Sequence, residues 1–574
     1  MQPVDYTTLL ALSHEFRLAW LPARIEQVYQ RDRHTLSLAL RTLQHQGWLT
    51  LSWHPQAARL CLDQAPPRDP DTFTLSDQLR HQLKGLALIS LQPIQPWERV
   101  IDLAIAKRPD DPPLYHLFLE VMGKYSNLIL TDAQQQIITV AHQVNPNQSR
   151  VRTVQTGQPY QLPPPILAAC PRQAEAFNDW QAQVSLIPGK ISQQLLKSYR
   201  GVSPMVVRTL LTQAEIAADA INQSLTTDQW RRLFDAWQTW LKRLDNEQFQ
   251  ADLTASGFTV LGNHQDTDGQ PIHDLIRDYY AQELGKEQFQ QLRHQLQQKL
   301  HTLIAKLQQK AQTFQRRLDE ANNANQYQQQ ADLLMAYLHQ GKPGLQEITL
   351  PDFEQGKPTT IALQPDKSLL QNAQKLYKQQ QKLKRAQDVV RPLLTAVTTE
   401  LNYLFQVDSS LQAVTQYDND TDWEILTEIR DELIEQGYLT PPNNRPRRRV
   451  GARFHPHIIA SPSGFPLWIG RNNRQNDYLT FRVATEYDLW FHAQEIAGSH
   501  VLLRLPPGAI ADDADLQWAA NWSAYYSRGR ESEQVPVVYT QPKYVFKPKG
   551  AKPGMVVYQQ ETVLWGKPHT VTSD

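Results

Sequence analysis

The stretch FQQLRHQLQQKLHTLIAKLQQKAQTFQRRL, residues 289–318, repeats its apolar side chains in steps of three, four and four. These steps form an eleven-residue period, which predicts a long and nearly straight helix with one apolar seam. A second stretch, residues 376–404, follows heptad spacing and predicts a helix that returns along the first. The two would form a long antiparallel coiled-coil hairpin over residues 273–438, with the Gly- and Pro-rich segment 339–366 as its tip. We expect helices of about 60 residues, about 90 Å long, with Pro392 kinking or interrupting the return helix.

Length and composition set the frame around this hairpin. A chain of 574 residues is too long for one core, and it predicts about three or four domains of a multidomain α+β protein. Its 58 Lys and Arg balance its 58 Asp and Glu, so any nucleic-acid surface must come from local clustering of cations. Cys61 and Cys170 are too few for a four-cysteine zinc site and indicate a reducing compartment.

The N-terminal region, residues 1–168, contains several short runs in which apolar and polar residues alternate. HTLSLALRT (residues 34–42) and GWLTLSW (residues 47–53) predict strands, and NLILTD followed by QQQIITVAHQV predicts a hairpin that turns at Asp132. Three consecutive prolines starting at Pro163 exclude a helix and mark the end of the region.

The next region, residues 169–272, is predicted to be helical. Within it, LLKSYRGVSPMVVRTLL (residues 195–211) has the layout of a helix-hairpin-helix with Gly201 in its turn. Ser203 is placed to cap the second helix, and Pro204 stands at the first helical position, where its missing N–H costs nothing. The amides of such a turn can hold a phosphate; an ordinary helical corner is the alternative.

The last region follows a basic linker over residues 439–452, in which four arginines lie between Arg445 and Arg449. Residues 453–574 contain six strand-like runs and one amphipathic helix, DADLQWAANWSAYYSR, and predict a compact C-terminal α+β domain.

Motifs of the common enzyme classes are missing from the sequence. There is no G-x-S-x-G elbow, no H-E-x-x-H zinc motif and no P-loop, and the His455/His457 pair has no further ligands nearby. We therefore expect no catalytic residues, no metal and no cofactor. The N-terminal residues lack a basic leader with an apolar core, and no run approaches the length of a membrane span. These features predict a cytoplasmic protein without a membrane partner.

Cations interleaved with flat side chains indicate nucleic-acid binding. YTQPKYVFKPKGAKPG places lysines that can neutralise phosphates beside Tyr544 and Phe546, which can stack on unpaired bases. The run RNNRQND (residues 471–477) supplies guanidinium and amide groups suited to phosphate, ribose and base edges. A solvated charged face is the alternative interpretation of each run taken alone.

The stretch WIGRNNRQNDYLT followed by DLWFHAQEIAGSHVLL and KPKGAKPGMVVY closely resembles the RNA-binding domain of the NFACT family. VMGKYSNLIL, RTVQTGQPYQLPPP and LLKSYRGVSPMVV resemble the family's N-terminal domain and helix-hairpin-helix, so the likeness covers nearly the whole chain. It implies a glycosylase-like α/β fold for the N-terminal domain. It also implies a tRNA-binding set: Glu98, Arg99, Lys124, Tyr125, Ser126 and Asn127. The helix-hairpin-helix turn contributes Gly201, Ser203 and Pro204. The implied RNA-binding set in the C-terminal domain is Arg471, Asn472, Asn473, Arg474, Gln475, Asn476, Asp477, His492, His500, Lys543, Lys547, Lys549 and Lys552.

The resemblance implies a ribosome quality-control factor. Members bind a large ribosomal subunit, through its rRNA and ribosomal proteins, that still holds a peptidyl-tRNA. They recruit aminoacyl-tRNA, typically alanyl-tRNA in bacteria, and support template-free C-terminal tailing of the nascent chain. On this view the ribosome makes the peptide bonds, while the protein, a monomer on the ribosome, positions tRNA.

Two positions depart from the family pattern. Glu98 stands where the family commonly has Asp before Arg, and Lys124-Tyr125 stands where Arg-His is usual. Lysine keeps the charge but loses the bidentate fork of arginine. Capture or rescue without tailing is therefore an open alternative. A DNA glycosylase would need a terminal proline amine and a zinc finger, whereas Pro3 follows Met1-Gln2; a surface adhesin would need an export signal.

Overall fold

The computed structural model describes residues 1–67, 69–164, 167–255, 257–262, 270–351, 358–441 and 454–571. The chain divides into two units, Met1–Gly285 and Lys286–Asp574. The arginines of the expected basic linker lie outside the described residues.

A nine-stranded sheet forms the base of the first unit. Its strands are β1 (Ala23–Asp32), β2 (Thr35–Arg41), β3 (Gln46–Ser52), β4 (Arg59–Asp63), β5 (Ala87–Pro93), β6 (Val100–Ala106), β7 (Tyr115–Glu120), β8 (Asn127–Asp132) and β9 (Ile137–Val140). They follow the order β4-β3-β2-β1-β5-β6-β7-β8-β9, and every neighbouring pair is antiparallel. The α/β class expected for this region is therefore wrong. Most strands are joined to their neighbours by hairpin loops, whereas a parallel sheet needs a long crossover between strands.

Two helices pack on this sheet, α1 (Tyr6–Trp20) and α2 (Thr74–Leu83). Asp5 begins α1 by accepting a hydrogen bond from the Thr8 amide at 2.8 Å. Leu12 and Phe16 of α1 share one buried core with strand residues such as Leu38 and Leu88. The predicted strands at residues 34–42 and 47–53 correspond to β2 and β3, and the predicted hairpin corresponds to β8 and β9.

Four helices and a small hairpin complete the first unit. They are α3 (Phe177–Ser185), α4 (Ile191–Ser198), α5 (Pro204–Gln213), α6 (Thr227–Asp245), β10 (Asp252–Thr254) and β11 (Gly257–Thr259). Ser203 caps α5 by accepting from the Val206 amide, and Pro204 occupies the first turn. The sequence therefore predicted the caps of α5 correctly, because capping depends on residues within one turn.

The second unit contains a helical hairpin. Helices α7 (Ile272–Asn322, which begins in the first unit) and α8 (Ala324–Ala336) form one arm, and α9 (Leu369–Ala413) forms the other. Tyr377 of α9 bonds Asp332 of α8, and ten residues further along α9 Gln387 bonds Asn322, ten residues back along the other arm. The arms are therefore antiparallel. Strands β12 (Glu347–Pro351) and β13 (Pro358–Ala362) form a hairpin within the tip.

The apolar seam of α7 is buried at three positions and half-buried along the rest of its length. Phe289, Leu296 and Leu300 share a buried cluster with Val397 and Leu401 of α9. At 51 residues, α7 is shorter than expected and extends about 77 Å, because the arm breaks at Asn323. Helix α9 runs through Pro392 without interruption. Pro392 is exposed, so the carbonyl left without an amide partner can face water.

After α9 comes the short helix α10 (Asp420–Glu435). The C-terminal part then contains β14 (His457–Ala460), β15 (Pro466–Ile469), α11 (Asn473–Tyr478), β16 (Leu489–Ala493), β17 (Val501–Leu503), α12 (Asp513–Tyr525), β18 (Val535–Thr540), β19 (Val545–Phe546), β20 (Val557–Tyr558) and β21 (Thr562–Gly566). Six of these strands form an antiparallel sheet in the order β14-β15-β17-β16-β18-β21. Ala519 and Trp522 of α12 share a core with Phe491 and Val501, while Trp490, Leu502 and Val538 belong to a second core.

Candidate nucleic-acid interface

Three separated pieces of the first unit meet at one end of its sheet. Strand β6 begins directly after Glu98-Arg99, and its first residue, Val100, pairs with Glu120 at the end of β7. Glu120 in turn pairs with Asn127 at the start of β8, so the loop between β7 and β8, which carries Lys124 and Tyr125, lies at this same end. The helix-hairpin-helix turn joins them through contacts to Trp97 and Glu98. We call this place the sheet end.

Contacts between the β5–β6 loop and the helix-hairpin-helix turn fix the sheet end. Glu98 Oε1 accepts a hydrogen bond from Arg200 Nη1 at 3.3 Å, and the two side chains form an ion pair. Trp97 adopts a positive φ of 67° and lies against Gly201, where an added Cβ would stand 2.5 Å from the indole Cε3. Gly201 itself has a φ of 76°, so both its conformation and its close approach favour glycine.

Burial perturbs the charged groups of the sheet end. Desolvation raises the pKa of the Glu98 carboxyl, and the charges of Arg200 and Arg99 only partly oppose it. Desolvation lowers the pKa of Arg99, against the charges of Asp5 and Glu98, which favour its cationic form. The Glu98 side chain is 15% exposed. Glu98 therefore holds its neighbours in place more than it presents a carboxylate to solvent.

The β7–β8 loop divides its predicted residues between surface and interior. Lys124 is exposed, Tyr125 is 72% exposed, and the Lys124 ammonium lies 5.0 Å from the Tyr125 ring centroid. Ser126 and Asn127 are buried. Ser126 Oγ accepts from the Met122 amide at 2.8 Å, and Asn127 bonds both backbone groups of His142. Lys124 and Tyr125 are therefore the pair able to reach a ligand directly.

In the turn between α4 and α5, the Ser203 hydroxyl already binds a carboxylate of the protein. Ser203 Oγ donates to Asp5 Oδ2 at 2.5 Å, while the other Asp5 oxygen caps α1. Ser203 is buried, and Pro204 is exposed. Phosphate binding by Gly201, Ser203 and Pro204 stays a prediction, and in this structure the Ser203 hydroxyl is engaged internally.

In the second unit, the four predicted lysines have different environments. Lys543 and Lys549 are exposed, and the Lys543 ammonium lies 5.0 Å from the Tyr544 ring centroid. Lys547 forms an ion pair with Asp477. Lys552 lies 4.5 and 4.7 Å from the ring centroids of Tyr403 and Tyr438, and burial lowers its pKa. Lys543 and Lys549 are the pair most open to a phosphate.

The amide-rich run 471–477 mostly faces the protein. Asn472 and Gln475 both donate to Glu428 Oε2, at 2.6 and 3.2 Å. Asn473, 1% exposed, donates to Glu432 Oε1 at 3.0 Å. We call these contacts between α10 and residues 471–475 the α10 seam. Its amides are used to hold α11 against α10.

Two cations extend the α10 seam. Arg471 forms an ion pair with Asp422 at 2.7 Å, and Arg474 forms one with Glu435 at 2.7 Å. Both guanidinium groups are partly exposed, so each retains donors for another partner.

His492, His500 and Asn476 are buried beside this seam. Asn476 Oδ1 accepts from the His500 amide at 3.0 Å, and His500 Nδ1 lies 2.7 Å from Thr480 Oγ1. Burial lowers the pKa of His492 to about 4 and that of His500 to about 3, so both rings are neutral at pH 7. Direct RNA contact by the buried members of the set stays a prediction; the structure gives these side chains partners or packing within the protein.

Sequence reasoning missed Arg200, Trp97 and the acidic partners on α10. Arg200 stands directly before the turn glycine Gly201, and a cation at that place was an available signal. Glu428 and Glu432 looked like ordinary surface acids of a helix, because their partners lie about 40 residues further along the chain.

Within the described ranges, no group of three or more His, Cys, Asp or Glu side chains is arranged to hold a metal ion. No described helix is long and apolar enough to cross a membrane.

Comparison with known proteins covers nearly the whole chain. Residues 5–450 match the model of the NFACT N-terminal and middle domains, and residues 453–560 match that of the NFACT protein RNA binding domain. The chain is 27% identical to the Rqc2 homolog RqcH of Bacillus subtilis, over 98% of this chain and 97% of that protein. It is 28% identical to the Rqc2 homolog RqcH of Streptococcus pneumoniae, over 96% and 95%.

Solved structures are similar as well, among them one from a streptococcus. It is the C-terminal part of the fibronectin/fibrinogen-binding protein from Streptococcus suis, 30% identical, covering 49% of this chain and 95% of that one, with a TM-score of 0.37. The two family matches together account for both units. The chain belongs to the NFACT family.

Proposed function

We propose that this protein acts in ribosome quality control. It binds a large ribosomal subunit that still carries peptidyl-tRNA, through rRNA and ribosomal proteins, in the cytoplasm and as a monomer. It recruits an aminoacyl-tRNA, alanyl-tRNA in the simplest case, and promotes template-free C-terminal tailing that marks the nascent chain for degradation.

The observation that carries this proposal is the sheet end. Arg99, the exposed Lys124-Tyr125 pair and the helix-hairpin-helix turn lie far apart in sequence, yet they meet where β6 begins and β7 ends. Cations beside an exposed aromatic side chain suit the phosphates and unpaired bases of a tRNA. Curated relatives of nearly equal length that carry the RqcH name support the same assignment.

On this proposal the protein is not an enzyme. The ribosome supplies peptide transfer, and the protein supplies the position of the tRNA. Arg99 and Lys124 neutralise tRNA phosphates, and Tyr125 stacks on an exposed base. Glu98 acts through Arg200, because its carboxylate is already paired there.

A second candidate, subunit capture or rescue without tailing, is favoured by one observation. Where the family commonly has Asp, Glu98 extends far enough to meet Arg200 and is largely buried by the contact. If tailing needs a free acid at this place, this chain lacks it.

The two candidates are separated by a tagged pull-down under gentle lysis, with the co-purified RNA sequenced. Large-subunit rRNA together with one enriched tRNA species supports tailing and identifies the substrate. Large-subunit rRNA without an enriched tRNA supports capture alone, and the absence of rRNA contradicts both. Arg99→Ala should remove the tRNA and keep the rRNA, while Arg108→Ala, an exposed cation in the β6–β7 loop at the opposite end of β6, should change neither.

A further inference from the structure

The helical hairpin contains two strongly basic segments, although the whole chain has no net charge. Residues 288–318 of α7 contain six Lys or Arg and no Asp or Glu, and residues 369–399 of α9 contain six Lys or Arg against the single acid Asp388. The two segments together therefore carry twelve cations against one acid.

Four of the α7 cations lie along one line. Lys299, Lys306, Lys310 and Arg317 are separated by seven, four and seven residues, and at 3.6 residues per turn these spacings return to nearly the same side of the helix. We call them the α7 stripe. It extends about 27 Å at 1.5 Å per residue. The helix therefore holds these four positive charges in a straight row, at spacings fixed by its rise per residue.

The α7 stripe is open to a ligand. All four side chains are exposed, and among the described residues none of the four forms an ion pair. The Lys310 ammonium lies 5.7 Å from the ring centroid of Phe314. Four cations without counter-ions on one face repel each other, and an anionic partner relieves that repulsion.

A second row continues along α9 toward the tip. Lys375, Lys378, Lys382 and Arg385 follow steps of three, four and three residues and are all exposed. Tyr377 bonds Asp332 of α8, so this row lies beyond the α7 stripe along the hairpin. Between the two rows lie three exposed acids, Asp319 and Glu320 of α7 and Asp388 of α9, so the α9 row is a separate basic segment of the hairpin.

The surroundings of the α7 stripe indicate the kind of anion. Residues 288–318 are all described, and no large apolar side chain among them is exposed; the exposed apolar side chains nearest to them, Val389 and Leu393, lie on α9. Protein interfaces need an apolar centre, membrane-surface helices need an apolar face, and single-stranded RNA needs aromatic platforms for its bases. Exposed glutamines such as Gln295 and Gln309 flank the stripe instead. Amides beside cations suit the phosphates and 2′-hydroxyls of a base-paired RNA helix.

We propose that the α7 stripe binds the backbone of double-helical RNA, without regard to sequence and separately from the C-terminal RNA-binding domain. The inference does not rest on the proposed role in quality control, because charge, exposure and spacing alone carry it.

The test uses the full-length protein and a fluorescent RNA duplex of about 20 base pairs, titrated by anisotropy at rising salt. One variant replaces Lys299, Lys306, Lys310 and Arg317 with Gln, which keeps helix propensity. The matched control replaces Arg31, Arg33, Lys107 and Arg108 with Gln, four exposed cations of the first unit, and changes the net charge equally. A third variant replaces the three lysines of the stripe with Arg and keeps all charges.

We expect the stripe variant to lose at least about tenfold in duplex affinity near 0.1 M salt, with a salt slope smaller by about three to four. The control and the Arg variant should stay within about twofold of wild type. Equal losses in the stripe variant and the control would overturn the proposal, as would an equal loss on single-stranded RNA of the same sequence. Loss of binding to anionic vesicles with unchanged duplex binding would also overturn it. Circular dichroism should show unchanged helix content in all variants.

Discussion

Glu98 and Arg200 form an ion pair across 102 residues of sequence, with 3.3 Å between Oε1 and Nη1. The pair ties the loop before β6 to the turn of the helix-hairpin-helix. Since Trp97 and Gly201 touch at the same place, the loop and the turn are expected to open and close together.

Breaking this pair should loosen the loop without unfolding the unit. Arg200→Gln should speed hydrogen exchange of the amides in residues 94–99 by about two- to fivefold, since partly exposed ion pairs contribute about 0.5–1 kcal/mol. Glu98→Gln should do the same, and the double variant should add little to either. Additive effects would show that the two side chains act independently.

Arg99→Ala should abolish tailing of a stalled reporter chain while the thermal unfolding of the protein stays within a few degrees of wild type. Arg99 is placed by the sheet end, and its cation is the group that a tRNA phosphate would meet. Arg108→Ala is the control for loss of one positive charge. Unchanged tails in Arg99→Ala would remove Arg99 from the proposed site.

Gly201→Ala should disrupt the sheet end far more than Gly157→Ala. Both glycines have positive φ, 76° and 82°, so each alanine carries the backbone cost of about 1 kcal/mol. At Gly201 the new Cβ would also stand 2.5 Å from the Trp97 ring. At Gly157 no atom would lie within 4 Å of the new Cβ. Hydrogen exchange of residues 94–99 and tRNA binding measure the difference, and similar behaviour of the two variants would contradict the Trp97 contact.

In the C-terminal domain, substitution of exposed lysines should weaken RNA binding, whereas substitution of a buried amide should lower the stability of the fold. Replacing Lys543 and Lys549 with Gln should weaken RNA binding and reduce its salt slope by about two, with unfolding unchanged, because both side chains are exposed. Asn473→Ala should destabilise the α10 seam by about 1–3 kcal/mol, because it removes a donor from the buried Glu432. Anisotropy and chemical denaturation distinguish the two; a stability loss in the lysine variant would place those side chains in the structure instead.

Glu432 should make the α10 seam sensitive to pH. Burial raises the pKa of this carboxyl, although Tyr403 and Asn473 both donate to its Oε1 and favour the charged form. A raised pKa means that the folded state keeps the proton to higher pH than the unfolded state, so this stabilisation is present at low pH and is lost as pH rises through the folded pKa.

Glu432→Gln keeps the same acceptor and removes the titration. The variant and wild type should therefore be equally stable near pH 4, and the variant should become the more stable one as pH rises toward 8. Chemical denaturation at each pH, with hydrogen exchange of the α10 amides as the readout, measures this difference in stability. A gap that does not change with pH would show that Glu432 does not titrate in the seam.

Local pattern predicted much of this fold, and tertiary partners account for most of what it missed. The strands β2 and β3, the cap at Ser203 and the seam of α7 follow from alternation, capping chemistry and helical period, each set within a few residues. The strand order of the nine-stranded sheet was not predictable in this way, because it depends on pairings between distant residues.

The candidate site shows the same division. Arg99, Lys124 and the exposed lysines came from composition and resemblance. The burial of Asn472, Asn473 and Gln475 could not be predicted in this way. A polar side chain is buried only where it finds a hydrogen-bond partner, and the partners here are on α10. Because these partners are distant in sequence, a run rich in Asn and Arg was interpreted as exposed surface.

The α10 seam also decides where this protein can be cut. The two family matches stop at residue 450 and resume at residue 453, so a fragment for expression would naturally begin there. Such a fragment would lose Asp422, Glu428 and Glu432, the partners of Arg471, Asn472 and Asn473. It would expose amide side chains that are buried in the intact chain, and we expect poor solubility or protease sensitivity as a result. A fragment that starts before α10, near residue 414, keeps the helix with the domain that depends on it.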